Sequence, residues 1–244
     1  LARALGVITS QGEDIGTTLA TLAWYSQAMA KGGVRAAGSS HIKYTVNEGI
    51  IIPQTINASA GEDVTLDCQA VAGYDGTNAA IVRAASQALP SETTLDDERF
   101  SLHSAAIGGV TLEGVQSITL DFGIELLTEY SGSDIDPTFI SIATIKPRIE
   151  IEVLDQAIFG SIGLDGQAAT HANTSIVLRK RADGGVFELD ATAEHIEITA
   201  AGLAYTSSPG NNSGTGRGTA SVVLECNYDG TNAPVVFDTA YAIP

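Results

Sequence analysis

The sequence is poor in the residues that usually announce covalent stapling or site chemistry. Two cysteines in 244 residues do not make a disulfide scaffold. One tryptophan and an aromatic share of 6% leave few rings on which sugars could stack, which argues against a carbohydrate-binding module. Charged residues make up only 17% of the chain, below the ~25% of a typical soluble domain. Cations are the scarcer kind: 12 basic residues against 29 acidic ones give a formal net charge of −17. A chain of that sign repels polyphosphate, so a groove that grips nucleic acid is disfavoured. The same sign suits a surface along which DNA slides without sticking. No apolar run approaches the ~20 residues that cross a bilayer as a helix. The stretch Leu19 to Ala30 ends like a signal-peptide site, but Glu13 and Asp14 stand where a basic region belongs, so the expectation is a soluble chain made in the cytoplasm.

Motifs of catalysis and metal binding are equally sparse. His41, His103, His171 and His195 share no metal-ligand spacing with each other or with Cys68 and Cys226. No Gly-x-Ser-x-Gly elbow occurs. Gly214-Thr215-Gly216-Arg217-Gly218 lacks both the Lys-Ser/Thr ending and the following helix of a phosphate loop. Glu150 and Glu152 are paired carboxylates, but at i and i+2 of a strand they read as a solvated acidic face. The expectation is a non-enzyme with no cofactor and no metal.

What the chain does contain is a repeated phrase. YDGTNA occurs at 74–79 and again at 228–233. Leu66-Asp67-Cys68 precedes the first copy and Leu224-Glu225-Cys226 the second, while Ala88-Leu89-Pro90 and Ala242-Ile243-Pro244 follow them. A six-residue identity in matching context points to an internal duplication, a hairpin repeat at 66–90 and 224–244. The acidic and amide side chains resemble part of a calcium loop, but the remaining ligands and the closing Glu are missing. The simpler reading is a tight turn at each copy. Asp75 and Gly76, like Asp229 and Gly230, would supply the positive-φ positions, and Asn78 and Asn232 would bond the turn backbone. Cys68 and Cys226 would then be parallel core positions, each a small buried hydrophobe.

Periodicity places one helix and many strands. Ile15, Leu19, Leu22, Ala23 and Ser26 share a helical face, with Asp14 as N-cap and Lys31-Gly32-Gly33 as the stop. Residues 1–40 are therefore an N-terminal helix or arm, and 41–244 a β-rich domain with a sub-boundary near 91–116. From residue 41 onward the pattern alternates. SITLDFGIELL (117–127) puts Ile118, Leu120, Phe122, Ile124 and Leu126 on one face and Thr119, Asp121, Gly123 and Glu125 on the other. TFISIATI (138–145) stops at Lys146-Pro147, and RIEIEVLD (148–155) alternates again. TSIVLRKRA and VFELDA flank Asp183-Gly184-Gly185 as a hairpin. TSSPGNNSGTGRG (206–218) has no period and reads as an exposed loop. The fold class is mainly β: a sandwich or barrel-forming subunit with an N-terminal helix.

The YDGTNAP turn, the stretch Thr119-Leu120-Asp121-Phe122-Gly123-Ile124-Glu125, and TFISIATIKPRIEIE (138–152) together resemble the tail tube proteins of long-tailed bacteriophages and related particles. That resemblance, over about residues 41–244, implies a β-sandwich subunit with a flanking helix, six to a ring. Inner sheets would join around a lumen, and rings would stack through loops and arms. It further implies an acidic lumen, for which Glu150 and Glu152 are the candidates, with Asp121 and Glu125 behind them. The loop 206–218 and the segment 31–60 become candidates for ring-to-ring contacts. Implied partners are further copies of the chain, neighbouring tail proteins such as the tape measure and terminator, and double-stranded DNA passing without specific binding. The implied location is the virion tail. A capsid decoration or head-neck protein, and a surface- or carbohydrate-binding β module, are the alternatives.

Overall fold

The structure, a computed structural model, describes residues 22–27, 41–46, 48–74, 76–88, 99–154, 158–164, 167–182, 185–208, 219–228 and 233–244. Among these residues the chain is mainly β. Its strands are β1 (Leu22–Gln27), β2 (His41–Val46), β3 (Glu48–Ser59), β4 (Thr65–Gly73), β5 (Val82–Gln87), β6 (Arg99–Ile107), β7 (Val110–Thr111) and β8 (Val115–Asp121). There follow β9 (Ile124–Glu129), β10 (Phe139–Ile145), β11 (Arg148–Val153), β12 (Ala169–Arg181), β13 (His195–Ser208), β14 (Ala220–Cys226) and β15 (Val235–Tyr241). Every pairing between them is antiparallel.

The main sheet runs β4-β3-β8-β11-β14-β13-β12-β6-β7, with β15 also paired to β13. Alternation decides what it buries. Ile56 and Ala58 of β3, Ile118 and Leu120 of β8, and Ile149, Ile151 and Val153 of β11 all point into one core. Val222 and Leu224 of β14, Ile198 of β13, Ile176 and Leu178 of β12, and Ala105 and Ile107 of β6 meet them there. Each buried Ile, Leu or Val among them contributes roughly 1.5–3 kcal/mol of burial free energy. The sheet rolls so far that its two ends meet. Asp63, in the β3–β4 turn, bridges to Ser101 of β6, and Val64 N–H donates to Phe100 O at 2.8 Å. Arg99 and Arg181 reach Asp63 across this seam at 3.8 and 3.4 Å. A single helical turn, Ile158–Ser161, follows β11, and its neighbourhood sends Phe159, Ile162 and Leu164 into the same core. The candidate boundary at 91–116 does not interrupt this arrangement over its described part, since 99–107 and 115–116 are strands of the one sheet.

Two sequence expectations fail here for physical reasons. The expected N-terminal helix is not found over its described part: residues 22–27 are strand β1, paired along its length with β2. Trp24 stacks on Tyr44 across that pair, ring centroids 5.4 Å apart, and such aromatic cross-strand contacts override a weak helical period. The rest of the expected helix lies outside the described residues. The strand expected at 117–127 is also broken, at Phe122 and Gly123. Gly123 sits at φ +56 with its N–H bonded to Asp121 Oδ1 at 2.8 Å, and Phe122 N–H turns to Gln54 O at 3.0 Å. Beyond this corner β9 leaves the main sheet and pairs only with β10, which returns through Lys146-Pro147 to β11. The β8–β11 hairpin therefore continues as an arm, β9–β10, bent out of the rolled sheet.

The corner tolerates no side chain at 123, because a Cβ there would lie 2.1 Å from Lys146 O. Gly123→Ala is expected to cost about 2 kcal/mol or more, read by chemical denaturation. Gly132, at φ +61 but facing open space, is the control. Its Ala variant should cost about 1 kcal/mol.

Candidate functional site

The outer face of the main sheet is laid down in lateral rows. The register places Asp67, Thr55, Asp121, Arg148 and Glu225 side by side on β4, β3, β8, β11 and β14. One residue further along each strand comes a core row of Leu66, Ile56, Leu120, Ile149 and Leu224. Then polar groups return with Thr65, Asn57, Thr119 and Glu150, a row that ends on the buried Val223 of β14, and after the next core row with Ser59, Ser117, Glu152 and Ser221. Period-2 alternation in each strand and in-register pairing between strands produce these rows together.

The polar rows bond among themselves. Thr55 Oγ1 donates to Asp67 Oδ2 at 3.0 Å, and Asn57 Nδ2 donates to the same oxygen at 3.2 Å. Thr119 Oγ1 donates to Asn57 Oδ1 at 3.2 Å, and Ser117 Oγ donates to Glu152 Oε2 at 2.9 Å. Arg148 lies 3.7 Å from Glu150, a half-exposed pair worth little by itself. Arg148 is the single cation in strands β3, β4, β8, β11 and β14. The result is a fixed polar surface with acids spread over it.

Of the four acids picked out in the sequence, three lie on this face. Glu150 and Glu152 sit half-buried on β11, and Asp121 lies one row away beside Arg148, with one oxygen committed to the Gly123 corner. Glu125 does not join them. The corner carries it onto the arm, where it accepts from Thr144 Oγ1 at 3.2 Å. Asp67 and Glu225 were missed as members of this face. Their signal was present as the Asp and Glu beside the two cysteines, but only strand register brings them into line with Asp121.

The strands that flank each copy of the repeated phrase do not pair with each other, as a hairpin turn there would require. In the first copy Gly73 pairs with Glu48 and Val82 with Thr45, so residues 74–81 stand opposite only 46 and 47. In the second, Cys226 pairs with Gly202 and Val235 with Ala200, so 227–234 stand opposite Ala201 alone. Both copies thus fall in eight-residue intervals, 74–81 and 227–234, between two paired strands in the returning half of a long antiparallel hairpin. Ala201 pinches the base of the second, donating to Pro234 O at 3.3 Å and accepting from Asn227 N–H at 2.9 Å. The first is tied to the arm: Tyr74 N–H donates to Pro137 O at 2.8 Å, and Ala80 N–H to Asp136 Oδ2 at 3.0 Å. Gly76 has the expected positive φ, +85, and Asn78 lies in the first interval. Asp75, Asp229, Gly230 and Asn232 lie outside the described residues, as do 209–218 of the expected loop; 206–208 belong to β13. Of the segment 31–60, the described part forms β2 and β3.

The two cysteines are not equivalent either. Cys226, the last residue of β14, is buried, whereas Cys68 is exposed on β4, an edge of the sheet, and both are free thiols. Burial pushes the Cys226 thiol up to about 12. Cys68 is raised by burial and by the nearby Asp67 carboxylate. His195 is fully buried, but its neighbours make it structural. Its Nδ1 accepts from Lys180 N–H at 3.1 Å, so Nε2 carries the proton that reaches Leu189 O at 3.0 Å. Among the described residues no group of three His, Cys, Asp or Glu could hold a metal ion. No helix among them is long and apolar enough to cross a membrane. No protein-family model and no curated protein sequence matches the chain.

Two outcomes test this account. Asn57→Ala removes bonds to Thr55, Asp67 and Thr119 at once, and should lower stability by about 1–2 kcal/mol in urea denaturation. A maleimide should modify Cys68 quickly and leave Cys226 untouched until denaturant is added. Because the unfolded thiol ionises first, burial of Cys226 stabilises the fold below its ordinary value of 9.0, and that contribution fades as pH rises towards 12.

Proposed function

We propose that this chain is a structural subunit of the tail tube of a long-tailed bacteriophage or a related phage-like particle, assembling with copies of itself into stacked six-membered rings through which the genome passes. The observation that carries this reading is the outer face of β4-β3-β8-β11-β14. Its polar side chains are hydrogen-bonded across β4, β3, β8 and β11; it holds Asp67, Asp121, Glu150, Glu152 and Glu225, and contains Arg148 as its single cation. A channel wall for DNA needs such a surface: rigid, wetted and short of the cations that would bind phosphate. The formal charge of −17 agrees with it. Glu150 and Glu152, in the middle of the face, are the lumen candidates, with Asp121 beside them. Glu125 stands apart on the arm.

Negative-stain microscopy of the purified protein tests the reading, with hollow tubes or six-fold rings as the expected result. A persistent monomer at high concentration would sink it, and a small oligomer that binds only to capsids would favour a decoration protein instead. Converting Glu150 and Glu152 to Lys should leave tubes intact while impairing DNA delivery. Unchanged delivery would mean that β11 faces away from the channel.

A further inference from the structure

We infer that the outer edge of β10 is a strand-pairing site for a second copy of this chain. The inference deepens the self-assembling reading and rests on it. Among the described residues β10 pairs with β9 alone, so one side of the strand presents a row of backbone donors and acceptors without strand partners. Natural edges are usually blunted by charge, and the other long edges here conform: β4 carries Asp67, β5 carries Arg83 and β15 carries Asp238. β10 reads FISIATI, with no charge, no proline and no glycine, and three of its seven residues are isoleucine. Its one protective device is a register shift at Ala143, which leaves Phe139–Ile142 as a straight run. β1 is also uncharged, but it lies between segments outside the described residues.

Side chains favour the same use. The arm has two faces. Ile124, Leu126, Ile140 and Ile142 are half-buried, whereas Leu127 and Phe139, on the opposite face, are 49% and 61% exposed. At the arm's tip Ile135 is 92% exposed, yet the loop around it is held in place. Thr138 Oγ1 donates to Asp134 Oδ2 and accepts from Ser131 N–H, and Asp136 anchors the tip to the 74–81 interval. A preorganised arm loses little entropy on docking.

Charge selects the occupant. A second copy carries the same formal −17, so two copies repel least where neither presents charge. The run from Pro137 to Ile145 is such a place. A basic partner would instead be drawn to the acidic face of β8 and β11. Strand addition also accounts for why the edge is left bare: backbone bonds supply the affinity, and a charge on the strand would oppose it.

Hydrogen exchange of the full chain, followed by mass spectrometry below and above its association concentration, tests the inference. Peptides spanning 139–145 should exchange at least about tenfold more slowly in the assembled state, as newly bonded amides do. Phe139→Lys leaves the half-buried face of the arm untouched and should raise the association concentration by about tenfold. Unaltered exchange in β8 and β11 would confirm that this variant is folded. Assembly with no protection in 139–145 overturns the edge-pairing inference and leaves the tube reading standing. A chain that stays monomeric at every concentration overturns both.

Discussion

The pairing of β8 with β11 is the constraint on which the rest of the structure depends. It sets Ile118 opposite Ile151 and Leu120 opposite Ile149, all buried to about 3% exposure or less. It equally sets Thr119 opposite Glu150 and Ser117 opposite Glu152 on the other face. A slip of one residue would exchange the two faces, placing carboxylates in the core and isoleucines in water. The energetic gap between those registers is large because both errors would occur at once. β3 and β14 then extend the same register outward on either side and β4 continues it beyond β3, which is why the row from Asp67 through Asp121 and Arg148 to Glu225 spans five strands.

The same hairpin also generates the arm. Its two strands cannot stay in the rolled sheet past Gly123 and Pro147, because one backbone turns at positive φ and the other lacks a donor. Closing the roll and projecting the arm are therefore two results of one strand pair. Below the corner its side chains build the core and the polar face. Above it, they build a two-stranded element exposing Leu127, Phe139 and Ile135. The polar face and the projecting arm thus lie on a single covalent hairpin.

The repeated YDGTNA phrase takes on a different meaning in three dimensions. Two identical turns suggested two hairpin corners. The strands on either side of each phrase instead pair with the preceding part of the chain, β4 with β3 and β5 with β2 for the first copy, β14 and β15 both with β13 for the second, and not with each other. The local architecture is repeated, but the surroundings are not. The first hairpin lies at the edge of the sheet and the second in its middle, which explains why Cys68 is exposed while Cys226 is buried. The phrase could not reveal this by itself, since a link between two strands and a hairpin turn call on the same Asp, Gly and Asn residues.

What the sequence determined was the class of the fold, the faces of its strands and the polarity of each face. Strict alternation in 117–121 and 148–153 was enough to separate Ile118, Leu120, Ile149 and Ile151 from Thr119, Glu150 and Glu152. Alternation is a local property of the pleat, and a local signal suffices to read it. Only the tertiary structure decided which strands become neighbours, and so which acids share a face. Asp67 and Glu225 joined Asp121 through register, while Glu125 left through the corner at Gly123. The strand at 22–27 was likewise decided from a distance, by Tyr44 stacking on Trp24. Partners far apart in the chain overrule a short helical period because cross-strand bonds and ring stacking outweigh differences in propensity of a few tenths of a kcal/mol.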